Sequence, residues 1–66
     1  MQVLINGAPR PVTADDTLAG VLAEFGVAER GVAVAVDGAV VPRASWPATR
    51  LRDGAVVEVL TAVQGG

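Results

Sequence analysis

One helical stripe stands between two blocks of strand-like alternation, and this order most narrows what the chain can fold into. Leu18, Val21, Leu22 and Phe25 fall at i, i+3, i+4 and i+7, the spacing of one face of an α-helix. Before them, Met1 to Asn6 alternates, with Val3 and Ile5 on one face and Gln2, Leu4 and Asn6 on the other. After them, Val32 to Val36 alternates valine and alanine. A lone amphipathic helix must bury its stripe, and here the partner available is a sheet.

The punctuation between these segments sets the remaining elements. Asn6-Gly7 and Asp37-Gly38 are both two-residue hairpin signals. The first predicts a return strand from about Pro9 to Thr13. Pro9 and Pro11 both lack an N–H, which puts that strand at a sheet edge. The second predicts a return over Ala39-Val40-Val41 that Pro42 stops. Asp15 and Asp16 stand where an N-cap and first-turn acids belong, which predicts a helix over about Thr17–Phe25. Gly26 then supplies the C-terminal glycine. Gly20, inside the helix but off its stripe, has no packing reason in the pattern and costs about 1 kcal/mol against alanine. Arg43 to Arg52, with Trp46 and Pro47, reads as a loop or short helical turn. Asp53-Gly54 is a turn, Ala55 to Leu60 the last strand, and Thr61 to Gly66 a tail. Glu58 facing solvent puts Val57 and Val59 inward and Leu60 outward beside it. The order is β-β-α-β-β-β, an α+β chain with a mixed sheet. Its apolar first and last strands are expected side by side, parallel and central. That arrangement resembles the β-grasp of ubiquitin-like proteins.

Length and composition restrict function. Sixty-six residues make one domain at most, here 1–66, and bury only about 60% of the unfolded surface. The sequence holds no Cys, His, Lys or Tyr, so it has no disulfide staple, ordinary nucleophile, proton shuttle or transition-metal site. Stability must come from packing, for which 52% hydrophobic residues are available. A formal charge of −2 disfavours nucleic acid and anionic membrane surfaces as partners. No apolar run reaches spanning length, and Met1 to Asn6 has no basic stretch ahead of an apolar one, as a secretory leader would. Zero cysteine suits a reducing, cytoplasmic setting. Asp15, Asp16, Asp37 and Asp53 sit in cap and turn contexts that explain them without metal or acid–base chemistry. Without lysine the chain cannot form isopeptide polymers on itself.

The sequence closes on Gly65-Gly66. If this chain takes part in a reaction, the reactive atom is expected to be the carbonyl carbon of Gly66. Two glycines before a carboxylate form a thin thread that a narrow enzyme channel can admit. Such a tail is expected to be disordered until a partner binds it.

The parts together resemble the ThiS family, the ubiquitin-like sulfur carriers of thiamine biosynthesis. The resemblance runs over nearly the whole chain: the first strand into Asn6-Gly7, Thr17-Leu18 opening a helix that ends near Gly26, Val34-Ala35-Val36, Asp53-Gly54 before a Val-Glu-Val strand. Its specific pieces are Val40-Val41-Pro42-Arg43 with Trp46 three residues on, and the ending Ala62-Val63-Gln64-Gly65-Gly66. Ala55 departs from the family's usual acidic residue, which reads as the loss of a surface charge. The resemblance implies a protein co-substrate and not an enzyme, with no bound cofactor expected. A ubiquitin-activating-like adenylating enzyme would spend ATP on Gly66, a sulfur donor such as a cysteine desulfurase would convert the adenylate to a thiocarboxylate, and thiazole synthase would take the sulfur.

The tail residues Val63, Gln64 and Gly65 are expected to give Gly66 access to partner channels. Leu60, Glu58, Leu4 and Ala35, with Ala33, are expected on the sheet face away from the helix, as a shallow apolar docking face. Trp46 reads as a docking hot spot or, as a lone tryptophan in a small chain, as packing over the core edge. Arg43, Arg50 and Arg52 could meet an acidic partner, although such charges are usually solvated. Two rivals remain open: another sulfur carrier, such as the small subunit of molybdopterin synthase or a carrier feeding cysteine synthesis, and a ubiquitin-like module that binds without reacting.

Overall fold

A computed structural model of the chain describes residues 1–27 and 31–61. Among them are five strands and one α-helix. The order is β1 (Gln2–Ile5), β2 (Ala8–Pro11), α1 (Leu18–Phe25), β3 (Val32–Val36), β4 (Ala39–Val40), a 3-10 helix (Arg43–Ala48) and β5 (Val56–Thr61). The sheet runs β2-β1-β5-β3-β4, so the last strand is central and lies parallel to the first. The other pairings are antiparallel. This is the mixed sheet, crossed on one face by a helix, that the pattern of apolar residues implies.

Both two-residue turns have positive φ at each central position: 51° and 84° at Asn6 and Gly7, 51° and 86° at Asp37 and Gly38. That geometry matches the right-handed twist of the strands it joins, which is why Asn-Gly and Asp-Gly make hairpins. Strand β2 lies at the edge as its prolines require. Val12 donates its backbone N–H to Met1, so by strand alternation the nitrogens of Pro9 and Pro11 face away from β1.

The side-chain face follows from the register. Val3, Ile5, Val34 and Val57 point from three adjacent strands onto Leu18, Val21 and Leu22 of α1, and all seven are at most 3% exposed. Removing such a side chain from water is worth about 1.5–3 kcal/mol each, which is what holds a chain without staples. Trp46, Leu51, Val12 and Ala55 close the rim of this core. Trp46 is buried, and its Nε1 donates to the Val41 carbonyl at 2.9 Å. Its role in the fold is therefore the packing one.

Several local expectations are corrected. The helix N-cap is Thr17, whose Oγ1 accepts from the Gly20 N–H at 3.2 Å, and not Asp15 or Asp16. Asp16 turns back instead and accepts from the Thr13 N–H at 2.7 Å, closing the loop before the helix. Phe25, the last residue of the stripe, is 37% exposed, and the Arg10 guanidinium from edge strand β2 covers its ring at 5.3 Å from the centroid. Thr61, expected in the tail, belongs to β5 and pairs with Val32. Ala55, expected in β5 and at the surface, precedes the strand and is buried. The Ala55 N–H bonds back to Arg52 across the turn, which tucks its methyl into the core rim. β2 stops at Pro11 and β4 at Val40.

Candidate functional site

The face of the sheet opposite α1 has no element packed over it among the described residues. Register places Leu4 beside Val56, Glu58 beside Ala35, Leu60 beside Ala33, and Val40 on the other side of Ala35. These residues share one face because strand side chains alternate. Leu60 is 68% and Val40 74% exposed, with Leu4 and Val56 at 37% and 41%. Ala33 and Glu58 are exposed as well, and Ala35 is half-buried. The four residues expected on a docking face, Leu60, Glu58, Leu4 and Ala35, are thus brought onto one surface. Val40 and Val56 join them and escaped the sequence reading. Their signal was the alternation itself: Val56 is two residues before Glu58, and Val40 falls opposite Ala35 once the Asp37-Gly38 turn is counted.

The residues expected to carry the sulfur and give it access, Gly66, Gly65, Gln64 and Val63, lie outside the described residues. What the structure gives is their root. Strand β5 ends at Thr61, in the middle of the sheet, and Leu60 is its last outward residue. The apolar face therefore runs up to the point where the remaining five residues begin.

One side chain holds that root. Strand β1 ends at Ile5, yet β5 continues, and Asn6 extends the ladder beyond β1. Its backbone N–H donates to the Val57 carbonyl at 2.9 Å. Its side-chain Oδ1 then accepts from the Val59 N–H at 2.8 Å, and its Nδ2 donates to the Val59 carbonyl at 3.2 Å. The carboxamide stands in for a peptide unit that β1 no longer supplies. Sequence reading took Asn6 for the end of the first strand and the start of its turn; nothing local in the chain shows a bond to a residue 53 positions away.

The acidic residues have structural work. Asp37 Oδ1 accepts from the Val56 N–H at 2.9 Å, and Asp53 Oδ1 accepts from the Gln2 N–H at 2.9 Å. Both complete sheet hydrogen bonds at strand ends. Arg50 reaches Asp15 at 3.9 Å and Arg52 reaches Asp37 at 3.4 Å, all largely or partly exposed, so these pairs contribute little. Arg50 and Arg52 line one shallow groove with Leu51 and Ala55. Arg43 begins the 3-10 helix, away from that groove's lining.

Comparison with known proteins agrees with this geometry. The model of the ThiS family matches residues 3–66. The sulfur carrier protein ThiS of Thermus thermophilus is 45% identical over 64 residues, covering 97% of this chain and 98% of that protein. A thiazole synthase of Paramagnetospirillum magneticum is 35% identical over 66 residues; these are all of this chain but 20% of that protein. Among solved structures, the crystal structure of the thiamine biosynthesis protein ThiS from Geobacter metallireducens superposes with a TM-score of 0.81 at 32% identity, covering both chains fully. The solution structure of a thiamine biosynthesis protein from that organism gives 0.74 at 32% identity, with 88% of that chain covered.

Proposed function

The chain belongs to the ThiS family of sulfur carriers, and from that premise we propose that Gly66 is the residue on which sulfur is carried. The chain is a co-substrate that partner enzymes act on. Its chemistry follows from what it lacks. A carboxylate is a poor electrophile, and this sequence has no Cys, His, Lys or Tyr with which to activate it or to hold sulfur on a side chain. Activation comes from outside. The Gly66 carboxylate attacks the α-phosphorus of ATP on an adenylating enzyme, pyrophosphate leaves, and an acyl-adenylate forms. The terminal sulfur of a donor's persulfide, such as that of a cysteine desulfurase, attacks the acyl carbon, and AMP leaves with one carboxylate oxygen. A thiol on a partner then attacks the donor's sulfur in the resulting acyl disulfide, forms a disulfide with the donor and releases the thiocarboxylate; this chain has no cysteine to supply that thiol. ATP is consumed by the partner and is no resident cofactor of this chain.

The observation that carries this reading is the meeting of the exposed apolar face with the root of the tail at Leu60 and Thr61. A partner seated over Leu4, Ala35, Val56 and Leu60 is already beside the segment that delivers Gly66. Surfaces of this kind mark docking sites. Thiazole synthase is the sulfur acceptor in this reading. The stretch of the Paramagnetospirillum thiazole synthase that resembles this whole chain supports it over the acceptors of other sulfur-carrier pathways. The cysteine-free composition suits a cytoplasmic setting.

Deleting Gly66 tests the carrier role against that of a docking module. The carrier loses all sulfur loading while still binding the adenylating enzyme. A module that only docks keeps its affinity, and there is no loading in the intact chain for the deletion to abolish.

A further inference from the structure

We propose that Asn6 is a positioning residue for sulfur loading: its carboxamide fixes the end of β5, the described part of the chain nearest Gly66. The inference rests on the carrier role proposed above and assigns that role a residue far from Gly66 in sequence.

The argument starts from the mismatch in strand lengths. β1 stops at Ile5 while its parallel neighbour β5 runs to Thr61. Beyond Val57, β5 is paired with β3 on one side, through Val59–Val34, Leu60–Ala33 and Thr61–Val32. On its other side the partner is the Asn6 side chain, which takes both the N–H and the carbonyl of Val59. A strand held along one edge can swing about that edge; a strand held on both cannot. The clasp sits two residues before the end of β5.

The residue type is specific to this task. The turn at Asn6, with φ of 51°, would accept glycine equally well. Only a carboxamide offers an acceptor and a donor together to match one peptide unit. Aspartate would keep the acceptor for the Val59 N–H but set a second oxygen against the Val59 carbonyl.

The contact lies close to the residue it serves: Gly66 is seven positions beyond Val59, at most about 23 Å of extended chain. A docked partner takes Gly66 from the end of β5, so the bearing of that end sets how readily the carboxylate reaches its reacting geometry. Misplacement of a reacting group by about 1 Å can cost a hundredfold in rate. Leu4, Ala35 and Val56 of the apolar face do not lie beyond the clasp, so the loss falls on the chemical step more than on binding.

The test compares wild type with Asn6→Gly and Asn6→Asp in adenylation by the partner enzyme, following pyrophosphate release, together with amide hydrogen exchange at Val59. The expected result is faster Val59 exchange in both variants. With it, kcat falls about tenfold while the KM for the carrier stays within about twofold. Exchange at Val59 that matches wild type overturns the proposal, since the clasp would not be holding the strand. So does faster exchange with kcat unchanged, or a loss that appears in KM alone. If wild type itself is not adenylated by an enzyme active on a control carrier, the carrier reading fails and this proposal falls with it.

Discussion

The indole nitrogen of Trp46 donates to the carbonyl of Val41 at 2.9 Å, and this bond locks the 3-10 helix onto the strand exit that precedes it. The indole is buried, and it closes the core beside Leu22 and Ala19 of α1. The motif Val40-Val41-Pro42-Arg43-x-x-Trp46 is thereby explained without a partner: the proline follows the end of β4, and the tryptophan four residues beyond it bonds back to Val41.

Trp46→Phe removes the donor and leaves the Val41 carbonyl without it. The expected cost is about 1–3 kcal/mol in urea unfolding. Trp46→Ala also opens a cavity and should cost about 3–5 kcal/mol. In both variants the folded fraction should still be adenylated. A Trp46→Phe variant as stable as wild type, or one folded but inert, would show that the side chain serves a partner and not the core.

Gly20→Ala is expected to stabilise the chain by about 1 kcal/mol. The helix leaves room for it: a Cβ at position 20 would meet only the Thr17 Oγ1, at 3.6 Å, an ordinary contact. Thermal unfolding reads the gain as a higher Tm. A lower Tm would mean that the N-cap bond from the Gly20 N–H to Thr17 is sensitive to that methyl.

Leu60→Glu tests the docking face. Leu60 is 68% exposed, so the fold should be unaffected. Affinity for thiazole synthase or the adenylating enzyme should fall at least about tenfold, or ~1.4 kcal/mol. Arg52→Ala, which breaks an exposed pair with Asp37, is the matched control and should change affinity little. Unchanged binding by Leu60→Glu in a calorimetric titration would remove the apolar face from the account.

Asp37→Ala is expected to destabilise by about 1–2 kcal/mol, because the Val56 N–H loses a charged acceptor and the turn loses a residue that tolerates positive φ. Equilibrium unfolding measures this. No effect would contradict both the bond to β5 and the turn preference as sources of stability.

The fold was largely legible in the sequence because its signals are periodic. Alternation placed Val3, Ile5, Val34 and Val57 inward, and the 3.6-residue stripe placed Leu18, Val21 and Leu22 against them. The exposed apolar face opposite α1 followed as the other half of the same alternation. What escaped depends on contacts between distant residues. Thr17 caps the helix because the chain bonds Leu18 to Thr49, which fixes where the first turn begins, and no local preference separates it from Asp15 or Asp16. Ala55 is buried because the Asp53-Gly54 turn folds it under the sheet, where alternation no longer applies. The clasp of Asn6 on Val59 needs the parallel pairing of the first and last strands, and no window of sequence contains both.

The measurement that tests the central claim most directly is the intact mass of the chain through one cycle. It is incubated with the adenylating enzyme, ATP and a sulfur donor, and then with thiazole synthase and its substrates. The account predicts a gain matching one oxygen replaced by sulfur, located on Gly66 by fragmentation and lost when the synthase turns over. An unchanged mass, with the same enzymes loading a control carrier, would contradict it.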